Sequence, residues 1–107
     1  MHPPKVVLVA SRDYIAQCDR AFLLELINAK VELFCAVGQS AQNWEDEMDW
    51  LFIEVKEVSL ATQFVVTTAH TDESVEEVIA FAEHFDCSRP CSVEVLYLQG
   101  PCVPSTR

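Results

Sequence analysis

The stretch Phe64-Val65-Val66-Thr67-Thr68-Ala69-His70-Thr71-Asp72 decides how the chain is read. A β-branched apolar run ends in small polar residues and a histidine, and acidic residues suited to a helix start follow. That order is expected of a strand buried in a parallel sheet that empties into the ligand-bearing edge of an α/β layer.

The flanking sequence repeats the same alternation. Lys5-Val6-Val7-Leu8-Val9-Ala10 is nearly all apolar, which predicts a strand covered on both faces. Ser11-Arg12-Asp13 supplies N-cap chemistry for a first helix to about residue 29. Within it Ile15, Cys18, Phe22 and Leu26 recur at helical spacing, and Leu23 and Ile27 widen the stripe. A second strand is predicted over 31–37, closed by Gly38, and Ser40 or Asn43 caps a second helix to about residue 58. Thr71-Asp72-Glu73 opens a third helix, with Val75, Val78, Ile79, Ala82 and Phe85 as its buried stripe. After a turn over 86–90, residues 92–98 alternate as a strand with one solvated face would, which suits a sheet edge. Residues 5–99 form the expected ordered core, and 100–107, with two prolines, the expected frayed tail.

Strands alternating with helices over short connections require crossovers, hence a parallel sheet covered on both faces. The prediction is a single domain over 1–107: three-layer α/β/α, βαβαβαβ, with a four-stranded, mainly parallel sheet. The expected strand order is 2-1-3-4, which resembles a truncated flavodoxin-like layout. Its switch point, where such folds place ligands, falls between strands 1 and 3. Ser11, Arg12 and Asp13 would there face Thr68, His70 and Asp72, a candidate ligand pocket. His70 could act as a general base beside Asp13 or Asp72, or a small anion could sit at the first helix start beside Arg12. The plainer alternative makes Thr71 or Asp72 a cap and His70 a solvated loop residue.

The familiar cofactor signatures are missing. The two glycines stand at Gly38 and Gly100, so no dinucleotide fingerprint or P-loop follows strand 1. Arg12-Asp13-Tyr14 departs from the small and hydroxyl residues of a flavodoxin phosphate loop. The acceptor carboxylate that response regulators carry after their third strand has no counterpart in Thr67-Thr68-Ala69-His70. No Gly-x-Ser-x-Gly elbow occurs. No cofactor and no catalytic residue is therefore assigned.

Composition narrows the partners. Of 107 residues half are apolar, enough for one core, and the mean hydropathy of +0.15 argues against disorder. No apolar run is long enough for a membrane span or a signal-peptide core, so the cytoplasm is the expected location. Seventeen acidic against seven basic residues give a net charge of −10. That disfavours nucleic acid and anionic membranes and suits a basic protein. Cys18 and Cys35 fall in apolar patterns and read as core thiols. His84, Cys87 and Cys91 look metal-like but lack a fourth ligand, since Cys102 should emerge at the opposite sheet edge, so no metal is assigned. Reduced thiols are expected in such a compartment.

The second helix carries the sharper signal. At about 100° per residue, Trp44, Met48, Leu51, Val55 and Val58 share one stripe beside Phe52. Trp50 and Ile53 point the other way, among Asp46, Asp49, Glu54 and Glu57. An aromatic anchor rimmed by charge is how a binding hot spot is built. The expected function is thus a non-enzymatic, cytoplasmic protein-interaction domain. It would be an acidic, immunity- or inhibitor-type partner of a basic protein, working through Asp46, Asp49, Trp50, Ile53 and Glu57. A homodimer through the same face is the other occupant considered. The alternative function is a small anionic-ligand binder or minor hydrolase using the crevice between strands 1 and 3.

Overall fold

Seven elements alternate along the chain: β1 (Lys5–Ala10), α1 (Ala16–Asn28), β2 (Leu33–Val37), α2 (Ala41–Ser59), β3 (Val66–His70), α3 (Val75–Glu83) and β4 (Val93–Leu98). The computed structural model describes residues 4–59, 65–85 and 92–98, without the side chains of 56–59. Phe64, the turn over 86–90 and the tail from 99 onward lie outside the described residues, as do Cys87, Cys91 and Cys102.

All strand pairings are parallel, and the expected three-layer α/β fold is present. The order is β3-β2-β1-β4, not 2-1-3-4. The helices show why. α1 and α2 lie together on one face, packing Leu23, Leu26, Trp44, Met48 and Leu51 against Val6, Leu8, Ala10, Phe34 and Ala36. α3 lies alone on the other, where Val78 and Ala82 meet Val7, Leu33, Cys35 and Val37. Crossovers are right-handed, so two successive helices on one face step the strands twice in the same direction. The third crossover, on the opposite face, returns β4 to the far side of β1.

This order makes β1 and β2 the interior strands. Val6, Val7 and Leu8 in β1, and Leu33, Phe34, Cys35 and Ala36 in β2, are no more than 1 % exposed. β3, the stretch expected at the sheet centre, is an edge, and its Val66 is 43 % exposed. β4 is the other edge, as its alternation predicts.

Several boundaries move for local reasons. Val31 does not open β2, because it closes α1. The Lys30 N–H donates to the Ile27 carbonyl at 3.0 Å and the Val31 N–H to the Leu26 carbonyl at 3.2 Å. With Lys30 at φ 64°, this is the Schellman closure usually given to glycine. α1 starts at Ala16 with Ile15 as a cap lacking a side-chain bond, so Ser11 and Asp13 do not cap it. Asn43 lies inside α2, and its Oδ1 accepts from the Tyr14 N–H at 2.7 Å. Ser74 rather than Thr71 or Asp72 caps α3, in a reciprocal box with Glu77. Gly38 ends β2 at φ +120°, where a Cβ would stand 2.6 Å from the Ala10 carbonyl oxygen.

Candidate functional site

The changed strand order relocates the switch point. β1 leads to β2 on one side, while β4 is reached from the other, so the carboxyl-end crevice lies between β1 and β4. β2 separates β1 from β3, a gap of two strand spacings, or about 10 Å. Ser11, Arg12 and Asp13 therefore do not face Thr68, His70 and Asp72, and the expected crevice between strands 1 and 3 does not exist.

The two halves of that expected pocket have separate structural roles. Ser11 laces β1 to β4, its N–H and its hydroxyl both donating to the Leu98 carbonyl at 3.0 and 3.3 Å. Arg12 turns inward. Its Nη1 and Nη2 donate to the Asp19 carboxylate at 2.7 and 2.9 Å, and its guanidinium lies 6.0 Å from the centre of the Trp44 ring. Trp44 Nε1 donates to the Arg12 carbonyl at 2.8 Å, and Tyr14 packs edge-on against that indole. Asp13 and Asp72 are exposed. His70 is buried on the α3 face against Phe81. Its Nδ1 meets the Glu73 carboxylate at 2.5 Å and its Nε2 the Thr68 hydroxyl at 2.8 Å, so both ring nitrogens are engaged internally. The solvated-loop reading of His70 is corrected by this burial.

Asp19 is the residue that sequence reasoning missed. It is 4 % exposed, and besides Arg12 it accepts from the Ile15 N–H at 2.8 Å. Burial alone would push its carboxyl up, but the Arg12 and Ile15 hydrogen bonds outweigh that and hold it below the ordinary value. The Asp19 hydrogen bond in turn raises Arg12. A signal was present: Asp19 shares the helical stripe of Leu23 and Leu26, where a carboxylate requires a buried cation.

Beside this pair, between α1 and β4, runs a groove of about 300 Å³ lined by Leu8, Cys18, Phe22, Leu96, Tyr97 and Leu98, with Asp19 at its wall. Its one charged lining group is already neutralised, so the groove suits an apolar occupant rather than acid-base work. Cys18 is not the thiol expected from its apolar pattern, because its sulfur is held in a disulfide. Cys35 is the buried free thiol expected of it, raised by burial, with the Thr68 hydroxyl bond opposing. Among the described residues no three His, Cys, Asp or Glu side chains converge as a metal site would require. No described helix is long and apolar enough to cross a membrane.

α2 divides as its periodicity predicts. Trp44, Met48 and Leu51 are at most 2 % exposed, whereas Trp50 is 65 % and Ile53 48 % exposed. Asp46, Asp49, Trp50 and Ile53 follow an i, i+3, i+4, i+7 spacing, so they share one face. Two of the carboxylates are held in place. Gln42 Nε2 donates to Asp46 at 3.0 Å, and the Thr67 hydroxyl on the β3 edge donates to Asp49 at 2.7 Å. Glu57 falls on the same stripe by register, its side chain lying outside the described residues.

The sequence matches the family described as Domain of unknown function (DUF7684) over residues 1–98, and the chain belongs to that family. No curated protein and no solved structure matches it.

Proposed function

We propose that this member of the DUF7684 family is a non-enzymatic, cytoplasmic interaction domain that docks a basic protein on the outer face of α2. The observation that carries the reading is the exposure of Trp50 and Ile53, 65 % and 48 %, on a helix whose opposite stripe is fully buried. The fold does not need this second apolar stripe, since Trp44, Met48 and Leu51 already seal the sheet.

In this mechanism Trp50 and Ile53 fill an apolar pocket on the partner, while Asp46, Asp49 and Glu57 pair with cations around its rim. The internal hydrogen bonds of Asp46 and Asp49 fix those carboxylates before binding, which lowers the ordering cost of docking. The charge of −10 accelerates encounter with a basic surface. The same charge opposes a homodimer through this face, because a two-fold axis would set like carboxylates against one another. An immunity- or inhibitor-type role, in which the acidic domain occludes a cationic surface, fits this arrangement. A role for His70 in acid-base or anion chemistry has weaker support, since both its ring nitrogens are engaged.

The test is affinity capture from the native cell with identification of what binds, alongside Trp50→Ala and Asp46→Lys variants. A basic partner is expected whose affinity falls at least 30-fold with Trp50→Ala, about 2 kcal/mol for an aromatic hot spot, and weakens with salt. Trp50→Ala should leave the unfolding midpoint unchanged. Affinity that survives this substitution, or a partner that is itself acidic, rules the site out.

A further inference from the structure

β3 is the sheet edge that adjoins the acidic helix. Among the described residues it pairs only with β2, and α2 packs along it, where the Thr67 hydroxyl donates to Asp49 at 2.7 Å. Two bonds to β2 fix where each backbone group points. The Val66 N–H donates to the Glu32 carbonyl at 2.9 Å, and the Gly38 N–H donates to the His70 carbonyl at 3.1 Å. In a parallel ladder alternate residues send both backbone groups to the same side, so Val66, Thr68 and His70 face β2. Thr67 and Ala69 face outward, and their N–H and C=O groups have no partner among the described residues. β3 carries no proline, lysine or break in register of the kind that blunts an exposed edge. The two sides of this edge differ in chemistry. On the α3 side Val66, Thr68 and His70 continue the row of Leu33, Cys35 and Val37. Val66 is exposed there, as is Phe81, whose ring lies against His70. On the α2 side Thr67 and Ala69 lie beside the exposed Asp49. Asp46 stands one turn nearer the carboxyl end, because a crossover helix runs against the parallel strands it joins.

We propose that the basic partner docks by adding an extended segment of alternating apolar and basic residues to the β3 edge, as a further strand of the sheet. This rests on the reading of α2 as the docking face, which sets the sign of the partner's charge. Backbone bonds to Thr67 and Ala69 hold the segment whatever its sequence, and the two side-chain faces select its composition. The added strand lies about 5 Å outside β3. Its residues opposite Thr67 and Ala69 project to the α2 side, where lysine or arginine meets Asp49 and Asp46. Its residues opposite Val66, Thr68 and His70 project to the α3 side and are apolar, extending the patch of Val66 and Phe81. The segment recognised is therefore apolar-basic-apolar-basic-apolar, matched to the five residues of β3. A second copy of this chain fits poorly. Its β3, Val66-Thr67-Thr68-Ala69-His70, offers threonine and alanine to the carboxylates. A two-fold axis through the edge would also bring the two α2 helices together on one side of the sheet, acid against acid.

The isotope-labelled full chain is titrated with a capped heptapeptide alternating valine and lysine, and amide exchange is read residue by residue by NMR. In the free chain the amides of Val66, Thr68 and His70 should be protected and those of Thr67 and Ala69 open. The peptide should close Thr67 and Ala69. A peptide of the same composition with its valines and lysines in separate blocks, or one alternating valine with glutamate, should not. N-methylation of one alternate set of peptide amides should weaken binding by about fivefold for each bond lost, while methylation of the other set leaves it intact. Ala69→Pro removes an outward N–H at an edge position that tolerates proline, and should also cost about fivefold. Thr67 and Ala69 amides already protected in the free chain, by a second copy or otherwise, overturn the proposal. So does equal binding of the parent and both methylated peptides. Capture of the natural partner separates strand addition from the α2 reading. A loss with Trp50→Ala but not with Ala69→Pro keeps the α2 face and refutes strand addition. A loss with Ala69→Pro but not with Trp50→Ala supports strand addition and refutes the tryptophan anchor.

Discussion

Replacing Asp19 by alanine tests the reading of the loop between β1 and α1 most directly. The substitution removes both acceptors of the Arg12 guanidinium and the acceptor of the Ile15 N–H. The Arg12 side chain would remain only 16 % exposed, while its Nε is already buried without a hydrogen-bond partner among the described residues. Removing one member of a buried pair costs about 3–5 kcal/mol. The residual exposure of Arg12 lets some water in, which lowers the expectation to about 2–4 kcal/mol. Set against a total stability of about 5–15 kcal/mol, that is a large fraction. In urea, with a slope of roughly 1.5 kcal/mol/M, the midpoint should drop by about 2 M. Asp19→Asn keeps an acceptor for the Ile15 N–H and should lose about half as much. The internal control is Arg20→Ala, whose ion pair with Glu54 is long at 3.5 Å and about half exposed on both sides. That pair should contribute less than about 0.5 kcal/mol. If Asp19→Ala costs no more than Arg20→Ala, the buried pair does not organise the loop.

Two further outcomes follow from the same geometry. Asp19 is held below its ordinary carboxylate value in the folded state. Its stabilisation is therefore present above about pH 4 and lost as pH falls through the folded value. The stability gap between wild type and Asp19→Asn, measured by urea titration, should accordingly shrink between pH 7 and pH 3, and a constant gap contradicts the linkage. Gly38→Ala should cost about 2 kcal/mol or more, because φ +120° strains any side chain and the new Cβ meets the Ala10 carbonyl oxygen at 2.6 Å. A loss under 0.5 kcal/mol in thermal unfolding would show that the β1–β2 exit can relax.

The two faces of α2 illustrate how far periodicity alone carries. Trp44 and Trp50 are six residues apart, which on a helix places them about 120° apart around the axis. One is wholly buried and the other 65 % exposed. That distinction needed only the spacing, because helix geometry is local. The alternation of seven elements and the parallel sheet were legible for a similar reason. Apolar runs of strand length followed by helical stripes leave the backbone few ways to bury both.

Strand order itself was decided by tertiary packing. A βαβ unit has the same local sequence requirements whichever side its second strand joins, and only the shared burial of α1 and α2 on one face fixes the direction of the first two crossovers. From that choice came the rest. The crevice moved from β1/β3 to β1/β4, Ser11 and His70 parted, and Arg12 turned from a candidate anion site into the partner of Asp19. The buried stripe of α1 marks Asp19 as a carboxylate in need of a cation, but which cation answers it depends on how the loop folds back onto the helix start. The sequence by itself determined the elements, their buried stripes and the exposed tryptophan. The arrangement of charges around β1 depended on which strands became neighbours, a global property that no local window of residues contains.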